Sequence, residues 1–283
     1  METVDIGYLE ALGKLDKIAG AATTHLINNP EVRQRLADGT ILKVQAGQAL
    51  DVEAVLLLQP DLIFTSISVD PAFDLPSKLE RSKLPVVLTA GYMETHPLAR
   101  TEWIRFIAAF FEAEPAAEAE FQQIADRYET LVELARDREK TPTVFCAAPF
   151  SGVWHMPGGN SYTAQTIADA GGHYLWGDIQ SAGSLPLDIE RVFLRAANAD
   201  IWINPSHYKS LDALFSVDPR FRRFKAARNG RVYNNTRLVG TQSGNPIWEK
   251  GVVRPDAVLA DLIKIFHPDL LQDHEFMFYE RLK

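Results

Sequence analysis

From Pro97 to Lys140 the chain runs without a glycine, and this stretch constrains the fold more than any other. It is rich in Ala, Glu, Arg and Phe, and Pro115 is its one internal break. Proline's fixed φ and missing N–H cost little in the first turn of a helix, so the pattern predicts two helices, over 98–112 and 116–138. A helix of about 23 residues spans roughly 35 Å, enough to run along two domains. With no Gly/Ser-rich linker beside it, the segment predicts a rigid connector whose flanking halves flex by a small angle.

Both flanks read as α/β. Leu58–Thr65 and Leu84–Thr89 are short apolar runs with Pro at or near their edges, each after a helix-like stretch, and they predict buried parallel strands. Beyond Lys140 the alternation resumes with Thr143–Ala148, Ala199–Asn204 and Arg231–Tyr233. The fold class predicted is therefore α/β, two lobes with small parallel sheets flanked by helices and joined by one long helix. Its expected boundaries are 1–97 for the N-terminal lobe, 98–140 for the helical region with a connecting helix near 116–138, and 141–283 for the C-terminal lobe. A length of 283 residues suits two domains of about 100–150 residues each.

The net charge of −8 argues against nucleic acid as a partner. The single cysteine, Cys146, rules out an intrachain disulfide and thiolate clusters, and its apolar surroundings predict a buried strand residue. The first residues, Met1–Ile6, show neither the basic nor the apolar part of an export signal, and no stretch approaches 18 apolar residues.

A weak internal repeat sets Asp51-Val52-Glu53-Ala54-Val55-Leu56-Leu57 against Asp188-Ile189-Glu190-Arg191-Val192-Phe193-Leu194, each an acidic helix start running into a strand. Glu53 and Glu190 fall in first helical turns, where the dipole favours a carboxylate by roughly 0.3–1 kcal/mol. Two readings stay open: ordinary helix-start acids, or one docking carboxylate per lobe for a two-fold partner.

Eight stretches lie along the chain in a telling order and spacing: Tyr8–Gly13, Asn29–Arg33, Glu53 with Pro60-Asp61-Leu62, Leu98–Ile104, Gly152–Trp154 through Pro157–Tyr162, Asp169–Gly172, Gly230–Asn235, and Trp248-Glu249 through Arg254–Asp256. Through them the chain resembles the substrate-binding proteins of siderophore, haem and cobalamin ABC importers. It implies a non-enzymatic, monomeric protein, periplasmic or lipid-anchored at the cell surface, that captures a ferric siderophore, haem or cobalamin between its lobes. It also implies delivery to an ABC permease dimer, with Glu53 and Glu190 meeting permease arginines. Members carry a signal or lipid-attachment segment and a first strand ahead of the stretch similar to Tyr8–Gly13. Seven residues precede Tyr8 here, so two expectations stand side by side: a sequence that begins downstream of that strand, or an N-terminal lobe built without it.

A large flat ligand calls for aromatic faces and a few placed polar groups. The candidates are Trp154, Tyr162, Trp176 and Trp248, with His155 as an edge or axial contact to a metal in the ligand and Arg237 for an acidic ligand group. Packing in the core or a turn is the alternative for each aromatic, and Trp202, within an apolar strand, is read as core. Gly158-Gly159-Asn160-Ser161 ahead of a helix also resembles an anion-receiving N-terminus, although a Gly-Gly turn with a Ser cap is common on structural grounds. The seven histidines show no metal-binding spacing, so no intrinsic cofactor, protein-held metal or catalytic residue is expected. An enzyme would want a phosphate-binding Gly-rich loop or an Asp-x-Asp motif, and neither occurs. A soluble sensor or ligand store remains a further alternative.

Overall fold

A computed structural model describes residues 3–46, 49–66, 79, 81–136, 138–240 and 244–283. The chain divides into two compact units. The first comprises Met1–Glu94, Arg100–Phe121 and Val239–Val253, and the second comprises Thr95–Ala99, Gln122–Leu238 and Arg254–Lys283.

The first unit begins with helix α1 (Thr3–Ala11) and strand β1 (Gly20–Ala21), followed by α2 (Pro30–Ala37) and β2 (Leu42–Lys43), which pairs parallel with β1. Asn29 caps α2 by accepting from the Val32 N–H at 3.1 Å, and Pro30 occupies the first turn, where its missing N–H costs nothing. Strands β3 (Gln45–Ala46) and β4 (Ala49–Leu50) pair antiparallel ahead of α3 (Val52–Leu58), which Asp51 caps through the Ala54 N–H at 3.0 Å. Strands β5 (Ile63–Ser66) and β6 (Val86–Thr89) pair parallel. They are shorter than the apolar runs predicted: Leu58 closes α3, Gln59 turns the chain in the left-handed region, and Leu88 is exposed.

Helix α4 spans Pro97–Ala108 and α5 spans Glu114–Ala135, with Pro115 in its first turn as the sequence predicted. The predicted end at Arg138 moves back to Ala135. The core of the first unit gathers Ile6, Leu9, Ile27, Val32, Phe64, Ile104 and Ile107, together with Val252 and Val253. The expected C-terminal boundary, 141–283, therefore differs from the partition found, because Val239–Val253 returns to the first unit. Three contacts fix that return. The Thr101 hydroxyl donates to the Val252 carbonyl at 2.8 Å, and the buried Glu249 side chain accepts from the Asn28 N–H at 2.9 Å. The third is at Gly7, where a Cβ would stand 2.0 Å from the Glu249 carbonyl oxygen, so only glycine permits the approach. Burial pushes the Glu249 carboxyl above the usual carboxylate range, against the pull of the Asn28 and Asn29 backbone N–H groups.

The second unit runs β7 (Thr143–Cys146), β8 (Pro149–Phe150), β9 (Val153–Pro157), α6 (Tyr162–Asp169), β10 (His173–Tyr174), β11 (Ser184–Leu187), α7 (Ile189–Ala196) and β12 (Ile201–Ile203). It continues with α8 (Leu211–Val217), α9 (Lys225–Arg228), β13 (Val232–Asn234), α10 (Pro255–Phe266) and β14 (Glu280–Arg281). Its main sheet has the order β10-β7-β12-β13-β14, parallel except for the antiparallel edge β14. Every residue of β12 is buried, as are Val144–Cys146 of β7, the pattern of a parallel sheet covered on both faces. An aromatic core of Phe145, Trp154, Trp202, Phe221 and Phe224 packs against it, with ring centroids 5.0–6.3 Å apart. Trp202 is core, as read from the sequence, and so is Cys146.

Candidate functional site

Open α/β sheets bind ligands beyond the carboxyl ends of their strands. In the second unit that edge carries a small antiparallel sheet of order β11-β9-β8. Ala147, with φ 65°, turns the chain out of β7 into it. Phe150 then pairs with Val153 across a two-residue turn, Ser151-Gly152, in which both residues have positive φ (49° and 82°). That geometry matches the right-handed twist of the flanking strands, and Gly152 adopts it at no steric cost.

Alternation along β9 then sorts its side chains. Trp154 and Met156 face the core, whereas Val153 and His155 face solvent. Pro186 of β11 lies opposite His155, and Leu187 opposite Trp154. The outer face thus carries Phe150, Val153, His155 and Pro186, with Phe150 69% exposed. An outward cluster of this kind marks a binding surface more often than an isolated exposed side chain does.

Two further segments leave the same edge. After β12 the chain passes through Asn204 and Ser206, both at positive φ, to the exposed His207, whose ring lies 4.4 Å from that of Tyr208. After β13 it passes through Asn234 to the exposed Arg237. The buried Asn234 amide donates to the Ser206 carbonyl at 2.9 Å and the Tyr208 carbonyl at 2.7 Å, tying the two segments together. The edge therefore offers an apolar face, two imidazoles and one guanidinium.

The residues singled out from the sequence separate by placement. His155 and Arg237 lie at this edge and reach solvent. Trp154 is fully buried, its indole N–H donating to the Cys146 carbonyl at 2.9 Å, so it has no face left for a ligand. Trp176 lies just beyond β10 but is also buried, with the Arg195 guanidinium 5.3 Å from its ring centroid. Tyr162 opens α6 and is half-buried. Trp248 belongs to the first unit, where it is 49% exposed and has Arg100 at 6.0 Å from its ring centroid.

The anion-receiving reading of Gly158–Ser161 does not hold. The N–H groups of Gly158, Gly159 and Asn160 donate to the carbonyls of Gly183, Ile179 and Ser181 at 2.8–2.9 Å, and the Ser161 hydroxyl caps α6 through the Ala164 N–H. No backbone N–H of Gly158–Ser161 is left for an anion. Phe150 and Val153 escaped the sequence reading. The signal available was the Ser151-Gly152 pair between two short alternating stretches, which marks a hairpin.

Glu53 and Glu190 both occupy exposed first-turn positions, in α3 and α7, and Asp188 caps α7 through the Arg191 N–H at 2.7 Å, as Asp51 caps α3. Glu190 accepts from Arg220 at 2.9 Å, and that guanidinium holds its carboxyl below the usual range. A hollow of about 980 Å³ opens at the opposite ends of the strands, lined by Arg138, Asp200, Arg231, His267 and Asp269 among others. Both of its arginines are engaged: Arg138 pairs with Asp269, and Arg231 donates to the Ile265 carbonyl, each at 2.7 Å. Among the described residues no three His, Cys, Asp or Glu side chains converge as metal ligands, and no helix is long and apolar enough to cross a membrane.

Known proteins fit this architecture. An uncharacterized lipoprotein of Methanocaldococcus jannaschii is 26% identical over 99% of this chain, which spans 67% of that relative's length. A possible iron-binding, periplasmic solute-binding protein from Staphylococcus epidermidis superposes with a TM-score of 0.71 at 18% identity, covering 94% of this chain and 96% of that one. A periplasmic haem-binding protein from Pseudomonas aeruginosa does so with a TM-score of 0.68 at 20% identity, covering 93% and 90%. These likenesses show the two-lobed α/β fold. The family model described as periplasmic binding protein matches residues 2–236, and the chain belongs to that family of solute-binding proteins.

Proposed function

We propose that this chain is the solute-binding component of an ABC importer for an iron-carrying or corrin-like molecule, with a ferric siderophore as the first choice, then haem, then cobalamin. The observation that carries the reading is the outward face of Phe150, Val153 and His155, with Arg237 exposed at the same carboxyl edge of the second unit's sheet. A flat or ring-rich ligand would stack on the apolar face, His155 would meet its metal or edge, and Arg237 would pair with an acidic substituent. The iron-binding and haem-binding descriptions of the two superposable proteins favour this chemistry. Trp248 and Tyr162 remain candidate contacts. Glu53 and Glu190 would dock the loaded protein on a permease dimer, steering association more than adding affinity. Attachment at the cell surface accords with the lipoprotein description of the archaeal relative.

The test is a tryptophan-fluorescence titration of the purified protein with ferric siderophores, hemin and cobalamin. Saturable one-to-one quenching by one class, weakened in Phe150→Ala, is the expected result. No response from folded protein to any of the three classes would overturn the iron or corrin reading.

A further inference from the structure

The repeat that placed Glu53 and Glu190 on matching helices extends further than the acids. Leu57 and Leu194 follow them by four residues, so each leucine lies one turn beyond its glutamate on the same helical face. Leu57 is 85% exposed and Leu194 88%, the two highest values among the large hydrophobic residues described. Their neighbours on the same helices turn inward: Val55 and Val192 are buried, and Phe193 stacks on Phe224 at 4.3 Å.

A single exposed leucine is ordinary. Two in register, each a turn from a first-turn glutamate on a helix capped by the same residue type, make one composite epitope built twice. The exposed carboxylate of each epitope can receive a basic group of the partner, at Glu190 alongside Arg220, which already pairs with it at 2.9 Å, and the leucine calls for an apolar depression beside it. Because the epitope occurs once per unit, the matching partner carries two copies of one socket, as a two-fold symmetric dimer does.

We propose that Leu57 and Leu194 are apolar docking knobs, each seated in a pocket next to the basic group that receives Glu53 or Glu190 on a permease dimer. This rests on the docking reading of the two glutamates. The leucines supply dwell time, and the carboxylates supply attraction at a distance.

The experiment compares Leu57→Ser, Leu194→Ser, their combination, and the Glu53→Gln/Glu190→Gln pair for binding to the cognate permease–ATPase complex in nanodiscs, at three salt concentrations. Circular dichroism and the ligand titration serve as folding controls; both leucines are exposed, so the variants should fold. Each serine variant is expected to weaken docking about tenfold (~1.4 kcal/mol), through faster dissociation and with an unchanged salt dependence. The glutamine pair is expected to slow association and flatten the salt dependence. Serine variants that dock like the parent while the glutamine pair fails would overturn the leucine proposal and leave the docking reading standing. Parent-like docking by both sets would overturn both.

Discussion

Asp261 gives the sharpest test of how the C-terminal segment is held. It lies in α10, fully buried, and its carboxyl group accepts from the backbone N–H groups of Met277, Phe278 and Tyr279 at 2.7–3.1 Å and faces His274 Nε2 at 2.6 Å. Phe278 and Tyr279 are themselves buried, so water cannot readily replace the lost acceptor. Leaving a buried donor unsatisfied costs about 1–3 kcal/mol. With partial relaxation of the three N–H groups, Asp261→Ala is expected to destabilise the protein by about 3–5 kcal/mol. At roughly 2–4 °C per kcal/mol for a domain of this size, the melting temperature should fall on the order of 10 °C. Asp261→Asn keeps one oxygen but turns an NH2 group toward donors, and should fall about midway. Urea unfolding followed by circular dichroism gives the energy, and amide exchange at 277–279 locates it. A loss below about 1 kcal/mol with unchanged exchange there would mean that Asp261 does not hold the segment. The loosening should also reach the candidate site, because the Arg237 N–H donates to the Phe278 carbonyl at 3.2 Å and β14 follows directly.

Phe150→Ala should leave stability unchanged and weaken ligand binding about tenfold, whereas Trp154→Phe, which strands the Cys146 carbonyl, should lower stability; thermal melts beside the titration separate the two. Burial pushes the Cys146 thiol up to about 12. The unfolded chain therefore ionises first, and stability should fall by about 1.4 kcal/mol per pH unit from about pH 9 upward. The buried Tyr128, Tyr174 and Tyr279, also raised by burial, add to the loss above about pH 10. Denaturation of Cys146→Ala between pH 8 and 10 should lack the first part. Asp200 is held at about 2: burial raises it, but Lys225 and the Thr143 N–H and hydroxyl outweigh that. Its contribution is present above the unfolded value near 3.9 and is lost as pH falls toward about 2. Allowing for its partial exposure, about 1 kcal/mol should disappear in acid titration of the parent and be smaller in Lys225→Gln.

Local spacing along the chain encodes the helices, their caps and the central strands. A glycine-free run broken at Pro115 gave two helices because proline tolerates only a first turn. Asp51 and Asp188 marked the starts of α3 and α7 because a side-chain oxygen there satisfies an open N–H. The apolar runs at Thr143, Ala199 and Arg231 gave buried parallel strands because such strands are covered on both faces. The placement of the site residues depends instead on pairing between distant segments. Whether Trp154 or His155 faces outward rests on the register of β9 with β8 and β11, and a one-residue slip would exchange them. The turn at Gly158–Asn160 looks open to an anion until residues 179–183 fold onto it and accept its N–H groups. Trp248 joins the first unit because Val252 and Val253 complete a core whose other members lie more than a hundred residues earlier. Periodicity within one segment carries no record of which distant segment will cover it, and burial, which decides whether an aromatic side chain is core or surface, is a property of that covering.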